Sequence, residues 1–474
     1  MSHPLPQRLT PPDISGRAIA KLAGPIFVAN IAIVGGGTID TIMAGHLGAD
    51  HLAAIALGLA SMIMVFMGLV GILQGMSPLA GHHFGARKFE KIGFELSQCL
   101  WLAFFLCFIG MPLLGCTDIW TNLAQAQGPV KTMASQYLLI SMLGLPAAMG
   151  GRAFIALNAA VSRPKVTMYV SLAMLVLKAP LNAVFMYGWL GFDALGGAGA
   201  AVSSTILTWL SFFVYIYVWK KDSFYQLMRC KRFYGPDPRA MWAQLKIGIP
   251  IGLSTFFEVS SFTLMAIFIS RFGAVTVSAH QIVANITSLC YMLALAIGIS
   301  CTVLVSQCLG AGWPSVAEKA TKKCLTIAVS VASIVALSLF FGRSFLLSLY
   351  TSDETVIRIG YSLILFGILY HVFDAMQCVS SFALRGYRVT FWPMVIYGVL
   401  LWGVGLFGGY YMAFIGEPFS TPLAAYGFWG MTALGLFLAG VALAVTARRA
   451  DTACHRRTRL LSGVGGTGPG AERG

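Results

Sequence analysis

Residues 272–310 read FGAVTVSAHQIVANITSLCYMLALAIGISCTVLVSQCLG, with no Asp, Glu, Lys or Arg; the charge-free run reaches from Arg271 to Glu318. About 20 apolar residues in a helix cover the ~30 Å hydrocarbon core of a bilayer. This run is longer than one span, and its end, LGAGWPS at 309–315, has the composition of a loop. Similar charge-free runs lie between Asp50 and Arg87, Asp193 and Lys220, and Arg388 and Glu417. The first of them closes on the loop-like HHFGA at 82–86. Continuing along the chain, the pattern predicts twelve spans. They lie near 20–44, 52–80, 95–116, 132–154, 166–188, 197–219, 246–270, 279–305, 323–347, 357–383, 391–414 and 422–446.

Composition agrees. The chain is 57% hydrophobic and 10% charged, against about 25% charged in soluble domains. The fold class is therefore all-α integral membrane. The +15 net charge has to be read by location, because positive residues collect on the cytoplasmic side of membrane proteins. With both termini inside, 27 Lys and Arg fall on inner segments and four outside: Lys131, Arg271, Arg343 and Arg358. Lys178 is the remaining one. A nucleic-acid partner would need a basic soluble face, and none is present. The ten cysteines show no paired spacing and read as small core residues, not metal ligands or disulfides. The Pro-rich start, MSHPLPQRLTPPDISGR, lacks the apolar core of a cleaved signal peptide.

The segment 220–245, KKDSFYQLMRCKRFYGPDPRAMWAQL, is the longest polar stretch between spans and divides the chain into two six-span halves. The halves are related. Shifted by 225, KLAGPI at 21–26 lies on KIGIPI at 246–251, Gly48 on Gly273, Gly85-Ala86 on Gly310-Ala311, and Cys99-Leu100 on Cys324-Leu325. Six is even, so both halves face the same way. Repeated halves around a midplane site are a common transporter plan. The expected organisation is an N-terminal tail (1–17), an N-lobe (18–219), a cytoplasmic linker (220–245), a C-lobe (246–446) and a disordered cytoplasmic tail (447–474).

Four charges sit inside predicted spans: Asp40, Lys178, Glu258 and Asp374. Each costs about 2.5–3.5 kcal/mol on insertion scales, which makes each a functional candidate. Residues three and four apart share a helix face. Glu258 has Ser254, Thr255 and Ser261 there; Asp374 has Tyr370, His371 and Gln377, with Ser381 a turn further on. Carboxylate with hydroxyl or phenol oxygens suits a hard cation such as Na⁺. The same acids could carry protons, since burial and a second acid raise a carboxyl pKa. The structural alternative is an acid tied to polar partners between packed helices. His371 is a candidate proton relay; His280 and the pair His82-His83 are weaker candidates.

Asp40 lies in VGGGTIDTIMAGHLG, with Gly36 and Gly37 one turn back. Small residues there permit close helix contact or leave room for a ligand. The glycines do not match a phosphate loop. Lys178, in LVLKAPLNAVF with Asn182 one turn on, has Asp40 as the only mid-span acid in its half, so an Asp40–Lys178 pair is expected.

GTIDTIMAGHLGADHLAAIALG (37–58), PLAGHHFGARK (78–88), SAHQIVANITSL (278–289) and ALRGYR (383–388) resemble the multidrug and toxic compound extrusion (MATE) transporters, most of all the bacterial NorM type. The resemblance covers residues 15–446. It implies two six-helix lobes around a central cavity and efflux of cationic or amphipathic drugs in exchange for Na⁺ or H⁺. It further implies a monomer in the bacterial inner membrane, no cofactor or bound metal beyond a monovalent cation, and no enzymatic activity. Family positions for functional acids fall on Asp40, Glu258 and Asp374, with Tyr370 also matching. The cation site is placed at Glu258 and Asp374 in the C-lobe, Gln281 is a possible auxiliary, and Asp40 with Lys178 and Asn182 would couple in the N-lobe. One departure stands out: the family often carries Asn-x-x-x-Asn where this chain has Lys178-x-x-x-Asn182. A flippase for a lipid-linked saccharide from the same superfamily is the nearest rival, and Lys178 leans toward it. An intramembrane enzyme lacks its motifs here, and a scaffold would not explain the repeat.

Overall fold

The computed structural model describes residues 10–227, 232–416 and 423–463. The remainder of the expected tails and linker lies outside the described residues. Among the described residues twelve helices are long and apolar enough to cross a membrane, one at each predicted span, so the chain is a multi-pass membrane protein. The first half runs through α1 (Gly16–Leu47), α2 (Ala49–Leu73), α3 (Met76–Gly85), α4 (Phe89–Gly115), α5 (Thr117–Leu123), α6 (Gly128–Ala160), α7 (Pro164–Tyr187) and α8 (Gly197–Lys221). After a short helix, α9 (Ser223–Leu227), the second continues with α10 (Pro238–Ile269), α11 (Ala274–Gly310), α12 (Pro314–Tyr350), α13 (Glu354–Gly386), α14 (Phe391–Tyr397), α15 (Gly408–Phe414) and α16 (Ala425–Gly463). A π-helical segment, Gly398–Phe407, joins α14 to α15. Among the described residues no strand occurs.

The 225-residue repeat reappears in the backbone. Pro25 inside α1 answers Pro250 inside α10. Gly48 (φ 129°, ψ 168°) and Gly273 (φ 93°, ψ 167°) precede α2 and α11 in the same left-handed-side conformation, which side chains with a Cβ rarely adopt. Arg87 (φ 55°) pairs with Gly312 (φ 83°). The following Lys88 and Trp313 cap α4 and α12 with closely similar angles.

Two details depart from expectation. The HHFGA stretch is largely helical, being the end of α3. The last helix continues to Gly463, where disorder is expected from 447. The physical reason is a set of polar ties: the Tyr387 hydroxyl donates to Asp451, and His455 Nε2 lies 3.3 Å from Glu318 Oε2. Lys322 Nζ holds the other oxygen of Glu318 at 2.6 Å. α10 likewise begins at Pro238, inside the expected linker.

The chain separates into two compact units. One holds residues 21–84 and 88–259, the other 1–20, 85–87 and 260–474. In the first, a core of Leu73, Met76, Ile92, Leu96, Leu138 and Phe154 is packed at helix faces with little or no exposure. α10 meets α2 there through glycines spaced four apart. A Cβ on Gly71 would lie 2.3 Å from the Gly252 Cα, and one on Gly248 would lie 2.0 Å from the Ile72 carbonyl oxygen. Small residues at this spacing let helix backbones touch in lipid, where packing rather than the hydrophobic effect drives association. Gly248→Ala is expected to cost about 1–3 kcal/mol by overpacking, seen as a lowered unfolding midpoint in detergent; Gly235→Ala, in open space, is the control. In the second unit the core gathers Met265, Ile269, Val283, Leu363, Phe428 and Trp429.

Candidate functional site

In the first unit, α1, α7 and α8 converge on Asp40. A Cβ at Gly35 would lie 3.3 Å from Leu175, so this glycine allows α7 to approach, whereas Gly36 and Gly37 face open space. The Tyr187 hydroxyl donates to the Met43 carbonyl at 2.9 Å and fastens the end of α7 to α1. α7 stops at Gly188, in the left-handed conformation (φ 77°). α8 comes close because Gly199 has no side chain: its Cβ would lie 2.4 Å from the Phe185 carbonyl oxygen.

The expected pair is formed. Lys178 Nζ lies 2.9 Å from Asp40 Oδ1, and both side chains are 6% exposed. Asn182 Nδ2 donates to the same oxygen at 2.7 Å. Two further partners come from α8: Lys178 donates to Ser204 Oγ at 2.5 Å and, at 3.5 Å, to the Ala200 carbonyl. An ammonium has three donors, and all three have an acceptor. Asn182 Oδ1 is buried with no hydrogen-bond partner among the described residues. Apolar Ala44, Ile55, Tyr137, Met186, Ala200 and Ala201 pack into one cluster beside the pair, which excludes water from it. Sequence reasoning missed Ser204 and Ala200. The small-residue stretch GAGAAVSST at 197–205 was the available signal for a close approach of α8.

In the second unit, Asp374 is buried on α13 and accepts from Gln377 Nε2 at 2.8 Å. The Tyr397 hydroxyl donates to Gln377 Oε1. That contact fixes the amide orientation, so its NH₂ faces the carboxylate. Tyr397 was not among the predicted residues. His371 is buried one turn away; among the described residues its Nδ1 has no hydrogen-bond partner, and the buried Ser381 hydroxyl has none either. Tyr370 is half-buried among aromatic rings, 5.9 Å from Phe262 and 5.6 Å from Trp429 between centroids. Trp429 Nε1 donates to His280 Nδ1 at 3.2 Å, which requires that nitrogen to be unprotonated. His280 is thereby occupied in the aromatic cluster, while neighbouring Gln281 is exposed.

Glu258 falls in the first unit by residue range, two positions before the division within α10, and is half-buried. The hydroxyls on its face are partly engaged by their own helix. Ser254 donates to the Pro250 carbonyl at 2.7 Å and Thr255 to that of Ile251 at 3.0 Å. Their oxygens keep lone pairs for a ligand. Ser261, the third, is buried. Among the described residues no three His, Cys, Asp or Glu side chains form a metal-binding group.

Comparison with known proteins reproduces the internal repeat. The MatE family profile matches the chain twice, over residues 25–184 and 250–411. The probable multidrug resistance protein NorM of Aromatoleum aromaticum is 36% identical over 445 residues, covering 93% of this chain and 96% of that one. The protein of the same name from Neisseria meningitidis serogroup B is 35% identical over 429 residues, covering 90% and 92%. The crystal structure of the eukaryotic MATE transporter AtDTX14 superposes with a TM-score of 0.82 at 19% identity, covering 93% of this chain and 98% of that one. The two profile matches start at Pro25 and Pro250, the prolines that mark the structural repeat, and with relatives aligned over nearly their full length they identify this chain as a member of the MatE family.

Proposed function

We propose that the protein is a secondary active multidrug efflux transporter that exchanges cationic or amphipathic drugs for Na⁺ or H⁺ by alternating access. In this reading the two six-span lobes lie in a bacterial inner membrane with both termini cytoplasmic, and the protein works as a monomer. The observation that carries it is the retention of acids at membrane depth, above all Asp374, buried on α13 and met by the oriented amide of Gln377. Glu258, Asp374 and Tyr370 are assigned to the exchanged cation, with Ser254, Thr255, Ser261, His371 and Gln377 as supporting groups. Asp40, Lys178 and Asn182 act in the other lobe. The names of the relatives, multidrug resistance proteins, support the substrate class.

The orientation rests on the distribution of Lys and Arg, 27 to four. The flippase reading drew on Lys178 as a basic residue facing the cavity. The ion pair with Asp40 removes most of that support.

Efflux of a fluorescent organic cation from proteoliposomes, driven separately by a Na⁺ gradient and a pH gradient, tests the proposal. Expected is accumulation collapse under one of the two gradients and none without either. Absence of ion-driven efflux under both would overturn the transport reading.

A further inference from the structure

Lys178 is unusual in how completely it is held. Its ammonium touches a carboxylate oxygen of Asp40, the Ser204 hydroxyl and the Ala200 carbonyl, with partners on α1 and α8. Carboxylate, hydroxyl and backbone carbonyl are the oxygen types that hold hard cations in proteins. Asn182 contributes a buried amide whose oxygen has no partner among the described residues, a further acceptor beside the same carboxylate. The side chain is nine residues from the end of α7, about 14 Å of helix, so it does not reach the interface by snorkelling.

We propose that the Lys178 ammonium is a resident, covalently tethered monovalent cation. It occupies an oxygen cage in the first half of the chain that would otherwise take a cation from solution. The inference deepens the transport reading and rests on it for one consequence: coupling ions would enter only at Glu258 and Asp374, and Asp40 would serve to hold the lobe's internal charge. The cage itself is independent of that consequence and can be tested without transport.

Removing the ammonium should leave a vacant cation site. Purified Lys178→Ala is expected to unfold at a lower temperature than the unsubstituted protein in choline chloride, whose cation is too large to enter. Ammonium, methylammonium or Na⁺ at the same ionic strength should restore the midpoint by several degrees, saturably, as a ligand that binds only the folded state does. Two proteins should show no such selective recovery, and a third a weaker one. Lys178→Met fills the cage with an apolar chain, Lys178→Ala/Asp40→Asn removes its charge, and Lys178→Ala/Ser204→Ala removes its hydroxyl and should at least weaken the response. If Lys178→Ala does not fold, Lys178→Ser, which keeps a short polar side chain, takes its place.

A response of the Lys178 variant to small cations that disappears with Asp40→Asn supports the cage. The same midpoint in choline and in small cations overturns it, whatever the efflux assay shows. Failure of the transport reading would appear separately, as absent ion-driven efflux in the unsubstituted protein.

Discussion

Asp374→Asn is expected to reduce ion-driven efflux to the level of empty vesicles while the protein remains folded. The carboxylate is 4% exposed and lies within a fixed chain, Tyr397 to Gln377 to Asp374. An Asn side chain is nearly isosteric and can accept the same Gln377 hydrogen bond. What it loses is the charge, and with it the ability to bind a cation or release a proton. Stability should be unchanged or slightly raised, because a buried charge carries a desolvation cost of several kcal/mol that a neutral amide lacks. Coupling has the opposite sensitivity. Each cation moving down the membrane potential supplies about 2.3 kcal/mol per 100 mV, and a site that cannot bind it transmits none. Glu258→Gln is expected to behave alike. Monodisperse elution and an unfolding midpoint near that of the unsubstituted protein, with efflux lost, is the predicted combination. Full transport by both variants would remove Glu258 and Asp374 from the mechanism.

The second large effect concerns stability. Asp40→Asn alone should leave a buried ammonium without its counter-charge, and Lys178→Met alone should leave a buried carboxylate with only Asn182. Breaking one side of a buried pair costs about 3–5 kcal/mol, whereas replacing both by neutral groups of similar size is often close to neutral. The double variant Asp40→Asn/Lys178→Met is therefore expected to be more stable than either single one, with a coupling energy of about 2 kcal/mol or more from a double-mutant cycle. Denaturant unfolding of the four proteins in one detergent gives the cycle. Additive losses would show that the contact between Lys178 and Asp40 contributes little.

Much of this architecture was legible in the amino-acid order because its determinants are local. Twenty apolar residues in a row need no partner to be identified, and a charge inside such a row stands out wherever the chain goes next. The Asp40–Lys178 pairing could be named because that half offers no other mid-span acid. Ser204 and Ala200 escaped notice for the opposite reason. One is an ordinary helix serine and the other acts through its backbone carbonyl, and neither differs in sequence from dozens of neighbours. Tyr397 was likewise invisible as a partner of Gln377, since nothing in their spacing of 20 residues announces that α13 and α14 turn these faces toward each other. The extension of α16 depended on Asp451 meeting Tyr387, 64 positions earlier, while its own composition pointed to a disordered basic tail.

The π-helical segment Gly398–Phe407 bears on how the two halves can change. The matched stretches begin 225 residues apart, at 25 and 250, and end 227 apart, at 184 and 411. A π turn, bonded i to i+5, accommodates an extra residue without breaking the helix. Without such a turn, each added residue would rotate everything after it by about 100° around the axis. The position answering Lys178 falls among Gly403, Val404 and Gly405, inside that segment. Copying the fifth span onto the eleventh would put a continuous α-helix, α7, where the second half has a π-helical stretch. The two halves answer to one family profile, yet the π-helical stretch belongs to the second alone among the described residues, and the lysine to the first.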